Sequence, residues 1–109
     1  MKQQRRHFRL EFATVKDRPK YQMGKDLFEV IDLSEGGMKY KAPLNSMPNV
    51  GSSLQGVVVF PDGKTKIQID GHVLRIDTPL ECVVVQFSRG IPLSIMMEKH
   101  REMIAKYKK

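Results

Sequence analysis

The chain has 109 residues, a formal net charge of +7 and a sequence pI near 9.7. At this length a single domain over residues 1–109 is expected. The excess charge lies at the two ends: Lys2, Arg5, Arg6 and Arg9 begin the chain, and residues 98–109 hold five basic against two acidic side chains. A protein that binds duplex nucleic acid more often carries a basic stripe across its folded body, so a small anionic ligand held by one end of the chain fits this distribution at least as well.

Composition excludes several other classes. The single cysteine, Cys82, rules out an internal disulfide framework, and its apolar neighbours predict a core residue. The apolar runs are far shorter than the roughly 20 residues that span a bilayer, and no apolar signal segment follows Met1. The histidines are scattered without metal-ligand spacing, and no acid–base or nucleophile constellation is visible. We therefore expect a cytoplasmic protein that is not an enzyme, with no membrane insertion, metal or cofactor.

In chain order, residues 1–9 are predicted to form a mobile basic arm, and strands alternate with turns after it. Six stretches have the alternation or composition of β-strands. They are residues 8–14, 27–33, 38–42, 54–60, 65–77 and 80–87. The charged, Pro- and Gly-containing segment 17–26 is predicted to be a loop. Gly36 and Gly37 are predicted to make a tight turn at positive φ, since consecutive glycines suit such hairpins.

The strand over residues 65–77 changes phase, because Ile67 and Ile69 are odd-numbered while Leu74 and Ile76 are even-numbered. A β-bulge at Gly71, between the two pairs, would bring both onto one face and bend the strand for barrel closure.

Residues 92–108 change to a helical period. The predicted inner face of this helix holds Met96, His100, Met103, Ile104 and Tyr107. Asp62, Asp70 and Asp77 are expected to be solvated. Strands joined by short turns predict a mainly β fold, a six-stranded antiparallel barrel over residues 10–90 with a C-terminal α-helix over one opening or edge.

Two polar motifs could bind a ligand. Arg5 and Arg9 supply two guanidinium forks that can grip phosphate or stack on a purine, although a solvated basic tail is the alternative. Asp32 and Ser34 are two residues apart, so an extended chain points both to one face, where a carboxylate can accept the N–H groups of guanine. A polar hairpin turn that caps its own backbone is the alternative there.

Together, Arg5-x-x-x-Arg9 and Asp32-x-Ser34-x-x-Gly37 resemble the signature of the PilZ domain family, bacterial receptors for cyclic di-GMP. The Phe60-Pro-Asp-Gly turn, the spacing of Gly71 and Arg75, and the closing helix add to the resemblance, which covers essentially the whole chain.

The resemblance implies a role for each matching residue. Arg5 and Arg9 would hold phosphates and contact a guanine, Asp32 and Ser34 would read guanine edges, and Gly37 would allow close backbone approach. Further contacts are predicted from Arg6, Gly36 and Arg75.

The resemblance also implies a function. The expected function is a cyclic di-GMP receptor that orders its arm over the barrel on binding and signals to a protein partner, with motility or exopolysaccharide production as processes under control. Two alternatives are a PilZ module that binds proteins without any nucleotide and, more remotely, a basic barrel that binds single-stranded nucleic acid.

Overall fold

The computed structural model describes residues 9–12 and 14–107. Seven strands, two single-turn 3-10 helices and one α-helix make up this part of the chain. The strands are β1 (Arg9–Glu11), β2 (Lys20–Met23), β3 (Asp26–Ser34), β4 (Gly37–Lys41), β5 (Ser53–Val59), β6 (Lys66–Asp77) and β7 (Cys82–Phe87). The 3-10 helices are Val15–Asp17 and Leu44–Ser46, and the α-helix, α1, is Leu93–Tyr107.

The strands form a closed antiparallel barrel. Six of them pair in the cyclic order β3-β2-β5-β6-β7-β4, and the pairing of β4 with β3 closes the ring. Strand β1 lies outside the ring and pairs only with the second half of β3. The predicted six-stranded antiparallel barrel with a C-terminal helix is therefore confirmed, although one of its six strands is not among those predicted.

The additional barrel strand is β2, and the prediction of a loop over residues 17–26 is wrong. Strand β2 lies between β3 and β5, and the ring of Tyr21 points into the barrel with no exposed surface. Tyr21 packs against Tyr40, with ring centroids 5.0 Å apart. Gly24, at φ 63°, makes the turn into β3. Most of the charges that indicated a loop lie outside β2 itself, since Lys20 is its only charged residue.

The predicted first strand over residues 8–14 is shorter in the structure. Only Arg9–Glu11 pairs as β1, although Phe12 continues the pattern with a backbone hydrogen bond to Ile31. Leu10 and Phe12 are buried, as the alternation indicates. Phe8 and Ala13 lie outside the described residues.

Two β-bulges shift the register of the barrel, one between Val73 and Arg75 in β6 and one between Val30 and Asp32 in β3. The predicted phase change in β6 is thus confirmed, but the bulge lies three residues beyond Gly71, at Leu74. Leu74 consequently points outward and is 49% exposed, so its predicted inward position is wrong. Gly71 is needed for another reason: a Cβ there would lie 2.3 Å from the carbonyl oxygen of Gln86.

The prediction that Gly36 and Gly37 turn at positive φ is also wrong. Among the described glycines, positive φ occurs at Gly24, Gly51 and Gly63. Gly37 is already part of β4, and a Cβ on it would lie 2.3 Å from the carbonyl oxygen of Val85 on β7. Its missing side chain therefore allows two strands to approach each other.

Helix α1 covers part of the barrel and follows the predicted bounds to within a residue. Met96 is fully buried in the core, while Ile95 and Met103 pack against it. Ile104 was predicted to face inward, but it is 51% exposed. The side chain of Tyr107 is not described. In the part of the chain that the structure describes, no helix is long and apolar enough to cross a membrane.

The inner face of α1 also contains a charged residue that the periodicity did not single out. Lys99 is buried, and its Nζ lies 2.5 Å from Oδ2 of Asp62 and 5.1 Å from the centre of the Phe60 ring. Asp62 is exposed, as predicted, but it is also paired: besides Lys99, the backbone amides of Lys64 and Thr65 donate hydrogen bonds to its carboxylate. This ion pair anchors the helix to the turn between β5 and β6.

Candidate functional site

The arginine motif and the Asp-Ser motif meet where β1 pairs with β3. In this register Arg9 is opposite Ser34, and Glu11 is opposite Asp32. The Arg9 Nη1 atom lies 3.3 Å from Oδ1 of Asp32. Half of the Arg9 side chain is exposed, whereas the Asp32 side chain is 12% exposed. Arg9 can therefore contact a ligand in solvent while Asp32 remains at the base of the site.

The bulge in β3 decides which way Asp32 and Ser34 point. Val30 is inside the barrel opposite Tyr40, and regular alternation would also turn Asp32 inward. The additional residue at Ile31 shifts the phase, so that Leu33 points inward and Asp32 and Ser34 point outward. The predicted shared face of Asp32 and Ser34 is thus confirmed, and the bulge places that face on the outside of the barrel.

Hydrogen bonds from a side chain and from the backbone hold the turn that follows β3. The Ser34 hydroxyl donates to the carbonyl oxygen of Gly37 at 3.3 Å, which links the end of β3 to the start of β4. The backbone amides of Phe87 and Ile91 donate to the carbonyls of Gly36 and Glu35 at 2.8 and 2.9 Å. The turn is therefore held against the segment after β7, and Ser34 keeps an oxygen that can accept a hydrogen bond from a ligand.

These residues line a cleft of about 400 Å³ on the outer face of the barrel. Its described lining is Arg9, Asp32, Ser34, Gly36, Gly37, Met38, Lys39, Leu74, Arg75, Val84, Val85 and Gln86. The structure therefore brings together six of the predicted site residues, including Gly36 and Arg75. Arg5 and Arg6, the two other predicted contacts, lie outside the described residues.

Sequence reasoning missed Lys39, Leu74, Val84 and Gln86 as lining residues. Lys39 could have been found from alternation, because it is two residues after Gly37 on the same strand. The other three belong to β6 and β7, and only the ring closure between β4 and β7 brings them beside the motif.

Opposing effects act on the pKa of Asp32 at the base of the cleft. Burial raises the pKa of the Asp32 carboxyl above its usual value, and the charge of Glu11 adds to this effect. The positive charges of Arg9 and Lys39 act in the opposite direction. The net effect is a raised pKa, so the folded protein holds the ionised carboxylate at a cost to its stability. Such a carboxylate gains by accepting N–H donors from a ligand.

Cys82, by contrast, has a structural environment. It is buried, and its Sγ donates to the carbonyl oxygen of Leu80 at 3.3 Å. Burial raises the pKa of this thiol, which disfavours the reactive thiolate. Among the described residues, no group of three or more His, Cys, Asp or Glu side chains could hold a metal ion.

Comparison with family models identifies the fold family, since the model of the PilZ domain matches residues 3–104. The chain belongs to the PilZ domain family. A comparison with curated proteins finds no match.

Two solved structures share this PilZ fold. The structure of Bacillus subtilis Inhibitor of motility (MotI/DgrA) is 16% identical, with a TM-score of 0.69 over 97% of this chain and 54% of that one. The structure of the K. pneumonia MrkH–c-di-GMP complex is 23% identical, with a TM-score of 0.64 over 98% of this chain and 55% of that one. The PilZ chain thus spans about half the length of each of these structures.

Proposed function

We propose that this PilZ chain is a receptor for cyclic di-GMP and that the cleft between β1 and β6 is its binding site. The proposal rests on the ion pair between Arg9 and Asp32, whose nitrogen and oxygen atoms are 3.3 Å apart at the base of a cleft that Ser34 also lines. Membership of the PilZ family supports it, as does the similarity in fold to MrkH, whose structure is a complex with c-di-GMP.

The chemistry of the ligand fits these groups. Guanine presents N1–H and N2–H₂ donors along one edge, and the ionised Asp32 carboxylate can accept both. The Ser34 hydroxyl adds a further polar contact beside it. The guanidinium of Arg9 is half exposed, so it can turn to grip a phosphate bidentately or stack on a purine.

The outer parts of the site complete the proposal. Arg5 and Arg6, on the arm that precedes β1, would supply further phosphate contacts, and Arg75 would do so from β6. Gly36 and Gly37 would let the ligand approach the backbone. Charge-assisted hydrogen bonds contribute roughly 1.5–3 kcal/mol each, so three or four reach about the 8 kcal/mol of micromolar binding after the arm is ordered.

The proposed role is that of a non-catalytic receptor and adaptor. Binding would order the arm over the barrel, and a protein partner would recognise the new surface. A module that binds its partner without nucleotide would not require a buried carboxylate paired with arginine at an open cleft. Binding of single-stranded nucleic acid would require exposed aromatic rings. The aromatic side chains that the structure describes are buried: Phe12, Tyr21, Phe28, Tyr40, Phe60 and Phe87.

Titration calorimetry with cyclic di-GMP tests the proposal. The wild-type chain should bind with micromolar affinity, and Arg9→Ala should weaken binding at least about tenfold, because one charge-assisted contact is lost. Arg101→Ala is the matched control: it removes an arginine from the exposed surface of α1, which does not line the cleft, and should leave affinity unchanged. Absence of heat at about 30 µM folded protein would contradict the proposal.

A further inference from the structure

A row of side chains crosses the cleft from β3 to β6. Lys39 on β4 is opposite Asp32 on β3 and, on its other side, opposite Val84 on β7. Val84 is in turn opposite Arg75 on β6, because the bulge at Leu74 brings Arg75 into register. Neighbouring strands are about 4.8 Å apart, so Lys39 lies one strand from Asp32 and two strands from Arg75.

The ammonium group of Lys39 is available to a ligand. No hydrogen bond or ion pair joins its side chain to another residue in the part of the chain that the structure describes. By contrast, Arg18 and Lys99 are paired with Glu29 and Asp62. Lys39 is half-buried in the wall of the cleft, so its charge is less screened than that of an exposed lysine.

Positive charge therefore lies on both sides of Asp32. Arg9 extends from β1 on one side, and Lys39 lies on β4 on the other, with Arg75 farther along the same wall. The Asp32 carboxylate lies between them and is paired with Arg9 at 3.3 Å, whereas among the described residues no carboxylate oxygen is within ion-pair distance of the Lys39 ammonium. A cyclic dinucleotide carries phosphates on opposite sides of its ring and can contact both walls at once.

We infer that Lys39 is a ligand-binding residue, whose ammonium contacts the second phosphate of the cyclic dinucleotide while the arginine side holds the first. The inference rests on the proposed function and extends the site from the β1–β3 wall to the β4 wall. Lys39 lies outside the arginine motif and the Asp-Ser motif, and through its contact the site would prefer a ligand with two phosphates over a ligand with one.

Lys39 also influences the ionisation of Asp32. A test of the inference must distinguish this indirect effect from direct contact between Lys39 and the ligand phosphate. The groups that face Asp32 are Arg9 and Glu11 from β1 and Lys39 from β4, and Lys39 helps to keep the carboxylate ionised. If this were its whole role, removing Lys39 would weaken binding only where Asp32 becomes protonated. Direct contact with phosphate predicts a loss at every pH at which the ligand phosphates are charged.

The test compares Lys39→Met with Lys41→Met by calorimetry with cyclic di-GMP at about pH 4.5, close to the ordinary pKa of a carboxyl group, and at about pH 8. Lys41 is two residues along the same strand and is exposed, but it does not line this cleft. Lys39→Met should bind about tenfold more weakly at both pH values and show a smaller dependence on salt, since one phosphate contact is lost. Lys39→Arg should restore most of the affinity, and Lys41→Met should bind like wild type.

Each other outcome overturns the inference. Equal affinity of Lys39→Met and Lys41→Met would exclude a contact, and a loss seen at about pH 4.5 but absent at about pH 8 would assign Lys39 to the ionisation of Asp32 alone. Arg9→Ala is measured alongside: if it weakens binding while Lys39→Met does not, the proposed function stands and only the Lys39 contact fails. A wild-type chain that binds no cyclic di-GMP would overturn both.

Discussion

Asp32 is expected to lower the stability of the fold while it supports binding, and the isosteric substitution Asp32→Asn separates these effects. Burial raises the pKa of Asp32 even though Arg9 and Lys39 oppose the shift. A carboxyl whose pKa is higher in the folded than in the unfolded state destabilises the fold when it is ionised. The neutral asparagine side chain of the variant avoids that cost but can no longer act as an anionic acceptor.

The loss of binding can be worked out from the contacts available. Ionised Asp32 can accept two guanine N–H groups in charge-assisted bonds of roughly 1.5–3 kcal/mol each, whereas one neutral bond to the asparagine amide oxygen contributes about 0.5–1.5 kcal/mol. The difference of about 1.5–5.5 kcal/mol corresponds to a loss of affinity of roughly 10- to 8,000-fold.

The gain in stability has a defined dependence on pH. Above the folded-state pKa of Asp32, the wild-type protein bears the full cost of the buried charge, so Asp32→Asn should have the higher free energy of unfolding. As the pH falls through that pKa the carboxyl is protonated, and below the unfolded pKa of about 3.9 the two proteins should be equally stable.

Urea unfolding of the ligand-free proteins from about pH 3 to pH 8, with calorimetry at pH 7, measures both effects. Asp70→Asn is the control, because Asp70 is exposed on β6 and does not line the cleft. The reasoning is refuted if Asp32→Asn is less stable than wild type at pH 8, or if it binds cyclic di-GMP with wild-type affinity.

Two further substitutions test how the barrel supports the site. Gly37→Ala should destabilise the fold by about 2 kcal/mol or more in urea unfolding, because its Cβ would lie 2.3 Å from the Val85 carbonyl oxygen and force β4 and β7 apart; an unchanged midpoint would show that the strands can relax. Asp62→Ala should cost about 1–2 kcal/mol, because Lys99 loses its nearer partner but keeps an ion pair with Glu102 at 3.2 Å, and because the Asp62 side chain is 31% exposed. Lys99→Met, which keeps the apolar stem and removes the charge, should stay within about 1 kcal/mol of wild type, and an equal loss in both variants would contradict this account.

The local pattern of side chains determined much of the architecture. Alternation at Leu10 and Phe12 and the apolar runs of the later strands predict a β fold, and the 3.6-residue period beginning at Met96 predicts α1, as observed. The spacing of Asp32 and Ser34 also placed both on one face, because neighbouring outward positions of a strand are two residues apart. These properties depend only on residues near one another in the chain.

Tertiary structure decided the remainder. Strand β2 has only four residues and lies between charged segments, so it is not recognisable alone, and it exists because β3 and β5 pair with both of its edges and cover Tyr21. The bulge at Ile31 turns the Asp-Ser pair outward, and it depends on the partner strand, which local alternation does not contain. The closing of β4 onto β7 brings Lys39 and Arg75 to one wall of the cleft, so the second half of the site follows from long-range pairing. Such contacts depend on how distant segments bury one another, which no local period of the sequence records.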